Sequence, residues 1–141
     1  MNIDSVQSSF FRYLYDNFEV PSGIKIFESV YYVDFKTFDK WIVLDQLGNT
    51  AGPLPTASFY LHCSIKNGLL NETVVLNRLV DSVTNLIYPM KRLDVYNGST
   101  GVLVGEMEIV ETNLLPVLQH AGGGSYRSLG VSLAYAGELG S

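Results

Sequence analysis

An unbroken alternation of apolar and polar side chains is the strongest constraint in this sequence. It spans residues 57–66, ASFYLHCSIK. A period of two places alternate side chains on opposite faces of a β-strand. The side chains predicted to face a core are those of Ala57, Phe59, Leu61, Cys63 and Ile65. A strand with one buried face needs a second layer of structure packed against it.

Two helical patterns can supply that second layer. The first covers residues 4–18 and ends at VPSG (20–23). The second covers residues 71–89 and ends at Pro89, with Asn71 as a plausible cap. Apolar residues at helical spacing form one stripe on each helix. They are Val6, Phe10, Leu14 and Phe18 in the first, and Leu76, Leu79, Val80, Val83 and Ile87 in the second.

The remaining strands complete an α+β pattern. They are predicted over residues 23–33, 40–45 and 126–137, with a hairpin over 91–110 that turns at NGSTG. Residues 47–55 are predicted to form a loop. The element order is α-β-β-β-α-β-β-β in one domain, residues 1–141. Consecutive strands with short turns predict a mainly antiparallel sheet with the two helices packed on it.

The chain carries few charges for its size. Charged residues make up 16% of the 141 residues and hydrophobic residues 47%, with a mean hydropathy of +0.17. A typical soluble domain has about 25% charged residues. Two interpretations follow, a monomer with a surface of small polar residues or a subunit that buries much of its surface against copies of itself or a partner. We favour the second.

The sign and distribution of charge exclude several classes of function. The net charge is −5, and Lys91-Arg92 is the one adjacent basic pair. A protein that grips nucleic acid needs a basic stripe, which is absent. The first twenty residues lack the pattern of a signal peptide, and no apolar run is long enough to cross a bilayer. We therefore expect synthesis in a reducing cytoplasm and no membrane partner.

The glycine run at residues 122–124 does not fit a phosphate-binding loop. The sequence AGGGSYRSLG has no lysine after the glycines and leads into a predicted strand. Walker and dinucleotide-binding motifs need a helix at that point. We interpret the run as a flexible connection.

No residue pattern indicates catalysis, a cofactor or a metal. His62 and Cys63 are adjacent on a strand, so their side chains point to opposite faces. His120 has no second ligand at zinc-binding spacing. Glu106 and Glu108 share one face of a strand, as the paired carboxylates of a glycosidase would, but with Glu111 they fit a solvated acidic edge better. We predict that the protein is not an enzyme.

Tyrosines are the candidates for an interface. Tyrosine combines a large apolar ring with a polar tip, which suits contacts between proteins. Ordinary packing beneath a loop is the alternative. The five tyrosines on or beside predicted strands are Tyr31, Tyr32, Tyr60, Tyr96 and Tyr126.

Taken together, these segments resemble the tail terminator proteins of long-tailed bacteriophages. The segments are the helix DSVQSSFFRYLYDNF, the strand FYLHCSIKNG leading into NETVVLNRLVDSVTNLI, the hairpin RLDVYNGSTGVLVGEMEIVET and the closing strand YRSLGVSLAYAG. The similarity covers most of the chain and lies in order, length and pattern. Other small neck and tail-completion proteins share related folds.

The resemblance implies a structural role in the virion. The subunit would form a hexameric ring that caps the tail tube, contacts the tube protein and the head–tail connector, and is assembled in the host cytoplasm. DNA would pass through the ring without specific binding. Six copies of a chain with net charge −5 would carry −30, which repels phosphates. We expect Glu106, Glu108 or Glu111 to line that channel. A small α+β binding module, or another neck or head-completion protein, is the alternative.

Overall fold

The fold of the chain comes from a computed structural model that describes residues 3–28, 38–50, 56–120 and 124–138. Within these residues the chain is α+β, with two helices and a mixed, curled, seven-stranded sheet. In chain order the elements are α1 (Ile3–Leu14), β1 (Lys25–Phe27), β2 (Lys40–Thr50), β3 (Thr56–Ile65), α2 (Glu72–Thr84), β4 (Arg92–Tyr96), β5 (Leu103–Leu114), β6 (Leu118–Gln119) and β7 (Ser125–Glu138).

The first helix is longer than predicted. After α1 the chain continues through a π-helical turn, Tyr15–Glu19, and a last helical turn, Val20–Ser22. It ends at Gly23, which adopts a left-handed φ of 74°. Because proline lacks an N–H and crowds the preceding turn of an α-helix, the wider π turn lets Pro21 follow within the helical segment. VPSG therefore forms the end of the helix and does not lie beyond it.

The second helix begins close to its predicted start but ends at Thr84, five residues before its predicted limit at 89. Asn71 occupies the N-cap position with a left-handed φ of 57°, but its side chain makes no capping hydrogen bond. The Glu72 carboxylate instead accepts a 2.8 Å hydrogen bond from the N–H of Gly68. The helix ends at Thr84, and the turns that follow bury Ile87 before Pro89 is reached.

The sheet has the strand order β1-β2-β3-β7-β5-β4. The short β6, which the predicted element order lacks, pairs with the start of β7. The predicted antiparallel pairing holds except between β1 and β2, which are parallel, so the sheet is mixed. The 91–110 hairpin is confirmed as β4 and β5. The loop prediction for 47–55 is wrong at 47–50, which extend β2, while 51–55 lie outside the described residues.

Both helices pack on one face of the sheet. Their apolar stripes and the predicted inward side chains of β3 form one buried cluster with Ile42, Leu44, Met107, Ile109 and the inward side chains of β7. Each of the helix-stripe residues predicted from spacing is at most 3% exposed. The single-sided arrangement leaves the opposite sheet face without a helix from the described segments.

Two edges of the sheet are closed by side chains from the first helical segment. The N–H of Ile26 on β1 donates to Glu19 Oε1 at 2.7 Å. The N–H of Tyr96 on β4 donates to Ser9 Oγ at 2.8 Å, and Ser9 Oγ lies 3.3 Å from the Tyr96 carbonyl oxygen. Edge groups satisfied in this way are not available to pair with another strand.

The glycine run meets the sheet at Gly124, its one described member. Gly124 has a φ of +87°, and a Cβ atom there would lie 2.4 Å from the carbonyl oxygen of Ile65. Its carbonyl oxygen accepts a 3.0 Å hydrogen bond from the N–H of His120. A close backbone contact between the start of β7 and the end of β3 therefore requires glycine at this position. The prediction of a flexible connection is wrong for Gly124.

Candidate functional site

An aromatic and histidine cluster occupies the sheet face opposite the helices. The rings of Trp41, His120 and Tyr126 follow one another, with 5.8 Å between the centroids of the first pair and 4.5 Å between those of the second. His62 meets Tyr126 edge-on at 5.9 Å and Tyr60 at 5.6 Å. The cluster joins β2, β3 and β7 to the segment just before the glycine run.

A polar bridge crosses three strands beneath this cluster. His62 Nδ1 and Ser128 Oγ lie 2.6 Å apart, and His62 Nε2 lies 3.5 Å from Asp45 Oδ2. His62 and Ser128 are direct cross-strand partners, and Asp45 lies two residues beyond Val43, the partner of His62 on β2. The register of the sheet therefore determines which three side chains meet.

The bridge contains the residue types of a hydrolase triad, but its serine hydroxyl is not exposed to a substrate. Such a triad needs a hydroxyl that can reach a substrate carbonyl. Ser128 is 4% exposed, so its hydroxyl is enclosed, and Asp45 is the exposed member of the bridge. The arrangement instead satisfies a half-buried imidazole at both nitrogens, which holds the ring in one orientation.

The surroundings of His120 favour its neutral form. Burial lowers the pKa of His120, and the charge of His62 lowers that pKa further. Burial disfavours the charged form of an imidazole. Protonation of His120 is therefore less favourable in the folded chain than in the unfolded one.

A shallow depression of about 200 Å³ adjoins the cluster. Ser58, Tyr60, Glu111, Asn113 and Ser132 are among the side chains that line it. A Cβ atom at Gly130 would lie 3.2 Å from Tyr60 Cε1, so the missing side chain lets the tyrosine ring lie against β7.

An acidic region covers the same sheet face on β4 and β5. Arg92 lies between Glu106 and Glu108, with N···O distances of 3.3 and 3.7 Å. Asp94 is the cross-strand partner of Glu106, and Glu111 lies further along β5, where it is exposed.

The charge balance of this region is negative. On β4 and β5, four carboxylates (Asp94, Glu106, Glu108 and Glu111) and one guanidinium (Arg92) give a formal balance of −3. The sheet face opposite the two described helices therefore carries an acidic region.

The structure brings together some of the predicted interface tyrosines and separates others. Tyr60 and Tyr126 both contact His62. Tyr96 lies apart on β4, with the Arg12 guanidinium 4.1 Å above its ring. Tyr31 and Tyr32 lie outside the described residues.

The predictions for Cys63 and for the three glutamates can be compared with their surroundings. Cys63 and His62 do lie on opposite faces, and burial raises the pKa of the Cys63 thiol to about 12, which keeps it protonated and unreactive. Glu106 and Glu108 share Arg92, so they are less available as free carboxylates than Glu111.

Residues 3–28, 38–50, 56–120 and 124–138 form neither a metal cluster nor a membrane-spanning helix. No three His, Cys, Asp or Glu side chains in these ranges come together as a metal site would require. No helix in the same ranges has the length and apolar character needed to span a bilayer.

Sequence analysis missed three residues of this face. Asp45 and Ser128 meet His62 only through the strand register, and sequence spacing does not give that register. Trp41 was assigned to a strand but not to a face; it is fully buried on the side away from the helices. Strand alternation in KWIVLD places Trp41 on the face opposite Ile42 and Leu44, which lie in the core, so the sequence could have indicated its face.

The comparisons with known proteins add no assignment. No protein-family model matches this chain, and no curated protein matches it. Function is therefore argued from the geometry above and from the resemblance in element order.

Proposed function

We propose that this chain is a structural subunit of a ring, of the kind formed by tail terminator proteins of long-tailed phages. In that role six copies cap the tail tube in the virion and join it to the neck. The subunit contacts itself, the tube protein and the head–tail connector, and DNA passes through the ring. The ring is assembled in the host cytoplasm.

The observation that carries this proposal is the division of the sheet into two unlike faces. One face is covered by both helices, and the other carries an acidic region on β4 and β5 with a formal balance of −3. A channel that lets DNA slide must repel phosphates rather than release their counterions. A ring with the acidic sheet face turned inward would provide such a lining.

The exposed apolar side chains support burial of other surfaces between subunits. Large apolar residues are exposed on the helical segment at Tyr15 and Val20, on the β4–β5 turn at Val102 and on β5 and β6 at Val110 and Leu118. A chain with 16% charged residues and exposed apolar groups on several elements suits contacts on more than one side.

Particle mass and electron microscopy test the ring directly. The purified protein, alone and mixed with tail tubes, is expected to form six-membered rings that sit at the tube end. A protein that stays monomeric in both settings would rule out the proposal. Rings whose acidic sheet face points away from the axis would rule out the lining role of Glu111 and its neighbours.

A charge-reversal pair tests the lining separately. Glu111→Lys replaces a negative charge with a positive one at the proposed channel, and Asp81→Lys makes the same change at an exposed position of α2. We expect rings of the first variant to retain duplex DNA at low salt, while wild-type and Asp81→Lys rings do not. Equal retention by both variants would show that position does not matter.

The depression beside Tyr60 supports a second candidate, a small binding module. A tyrosine ring with carboxylate, amide and hydroxyl groups around a cavity of about 200 Å³ could hold a small polar ligand. Ligand screening by NMR, with Tyr60→Ala as the control, distinguishes this candidate. Chemical-shift changes confined to Ser58, Asn113 and Ser132 and abolished in the variant would favour it.

A further inference from the structure

Two turns of this fold contain the same dipeptide, asparagine followed by glycine. Asn67–Gly68 lies between β3 and α2, and Asn97–Gly98 lies between β4 and β5. A glycine after asparagine favours spontaneous deamidation, because the glycine nitrogen is unhindered and its backbone is the most freely bent. One reaction can therefore be compared in two different surroundings of the same chain.

Deamidation needs a free carboxamide and a base. The backbone nitrogen of the glycine forms a bond to Cγ of the asparagine and gives its proton to the base. The bond from Cγ to the side-chain nitrogen then breaks, and that nitrogen leaves as ammonia with a proton returned by the base. Water opens the resulting cyclic succinimide to aspartate or isoaspartate. No atom is oxidised or reduced.

The turn between β4 and β5 opposes this reaction. Asn97 Oδ1 accepts hydrogen bonds from the N–H groups of Ser99 and Thr100, at 2.9 and 3.0 Å. The N–H of Gly98 donates to the buried Ser5 Oγ at 3.1 Å. The carboxamide must leave two donors before its Cγ can approach the glycine nitrogen, and a neutral hydroxyl is a weak base for the amide proton.

The turn between β3 and α2 offers what the reaction needs. Asn67 is exposed, and within the described part of the chain its carboxamide makes no hydrogen bond. The N–H of Gly68 donates to Glu72 Oε1 at 2.8 Å, so a carboxylate already holds the proton that must be removed. That bond lies near the peptide plane, whereas Cγ approaches the nitrogen from one side of the plane, so the two are compatible.

We propose that Asn67 is a site of spontaneous deamidation in the folded chain. The Glu72 carboxylate acts as the base for the Gly68 nitrogen, and the hydrogen bonds of the β4–β5 turn protect Asn97. The chemistry is identical at the two sites, so the difference between them comes from the fold.

The product changes a crowded part of the structure. Either product adds a negative charge, and isoaspartate also adds a methylene group to the main chain. The backbone nitrogen of Asn67 lies 3.2 Å from the position that a Cβ atom at Gly124 would take. The longer main chain therefore falls where the end of β3 meets the start of β7.

This inference does not depend on the proposed function. It concerns a covalent change within one chain, and it applies equally to a ring subunit and to a monomer. Failure of the protein to form rings leaves it standing, and an intact Asn67 leaves the ring proposal standing.

Peptide mapping by mass spectrometry of protein aged at neutral pH tests the proposal. We expect Asn67 to be lost at least about tenfold faster than Asn97, which corresponds to a barrier difference of about 1.4 kcal/mol. Net hydrogen-bond contributions have this magnitude. In guanidinium chloride, where the hydrogen bonds of the fold are absent, the two rates are expected to become similar.

Three substitutions test the assigned groups. Glu72→Gln keeps an acceptor for the Gly68 N–H but removes the carboxylate, and it is expected to slow the loss of Asn67 at least about threefold. Asp81→Asn makes the same charge change at an exposed position of α2 and should leave that rate unchanged. Ser5→Ala frees the N–H of Gly98 and should speed the loss of Asn97 alone.

The wild-type comparison decides the proposal without any variant. Equal rates at Asn67 and Asn97 in the folded protein would overturn it. A difference that persists in guanidinium chloride would do the same, since the cause would then lie in the neighbouring sequence. A Glu72→Gln variant that loses Asn67 as fast as the wild type, or faster, would reject Glu72 as the base.

Discussion

At the scale of single residues, the surroundings of a glycine decide how much stability is lost when a side chain is added there. Gly124 and Gly68 both have a left-handed φ, +87° and +85°. A Cβ at Gly68 would meet open space, while one at Gly124 would lie 2.4 Å from the Ile65 carbonyl oxygen. The two glycines therefore separate the effect of backbone conformation from that of a steric clash.

We expect Gly124→Ala to lower the free energy of unfolding by roughly 3 kcal/mol and Gly68→Ala by roughly 1 kcal/mol. The difference reflects displacement of β7 from β3 by the added methyl group. Urea denaturation of both variants measures it. Equal losses would show that the contact between Gly124 and Ile65 relaxes freely.

His120 makes stability depend on pH in a defined direction. Burial lowers its pKa in the folded chain, so below about pH 6.5, the ordinary histidine value, the unfolded chain binds the proton more readily. Stability is therefore unaffected at higher pH and is lost as the pH falls below that value. Unfolding free energies at pH 7.5 and pH 5.5 should show a smaller loss in His120→Phe than in the wild type. An unchanged loss would remove His120 as its source.

The chemistry of the site was only partly predictable at this scale. Alternation placed His62 and Cys63 on opposite faces because strand geometry requires it. Alternation could not show that Ser128 and Asp45 would meet His62, because that depends on how three distant strands align.

At the scale of elements, α1 is held to β4 by a serine as well as by its apolar stripe. Ser9 is 3% exposed and bonds to the main chain of Tyr96, whereas its neighbour Ser8 is exposed and bonds only within the helix. The same substitution at these two positions therefore compares a contact between elements with a local one.

Ser9→Ala is expected to cost about 1–3 kcal/mol, because it leaves a buried N–H without its acceptor. Ser8→Ala should change stability by no more than about 0.5 kcal/mol. Thermal unfolding monitored by circular dichroism distinguishes the two. Similar melting temperatures for both variants would mean that water replaces the Ser9 hydroxyl.

Helix and strand identities were more predictable than their pairing. The stripes of α1 and α2 appear directly in the sequence because helical spacing requires them. The parallel pairing of β1 with β2 does not appear there, since alternation does not encode strand direction. Hydrophobic residues between 40 and 45 predict a short strand, but β2 continues to Thr50. Residues 46–50 pair with β3 although their own sequence, QLGNT, does not alternate between apolar and polar residues.

At the scale of the whole molecule, low charge and exposed apolar groups favour association, while net charge opposes it. Each chain carries −5, so copies brought together repel one another at low ionic strength. Salt shortens the range of that repulsion but leaves apolar contacts in place.

We therefore expect self-association to strengthen as salt is raised from about 0.01 M to about 0.15 M, where the Debye length falls from about 30 Å to about 8 Å. Sedimentation velocity across this range measures it, with sucrose in place of salt as the control for general solvent effects. Weaker association at the higher salt concentration would indicate that ion pairs, and not apolar side chains, hold the subunits together.

The π turn at Tyr15–Glu19 bears on how this chain tolerates length changes. A π turn contains one residue more than an α turn, so it has the form of a single-residue insertion accommodated inside a helix. Deleting one residue there would restore an unbroken α-helix and leave the segments on either side in nearly the same orientation. The Glu19 carboxylate would then stay within reach of the N–H of Ile26, so this turn should accept the loss of one residue better than α1 does.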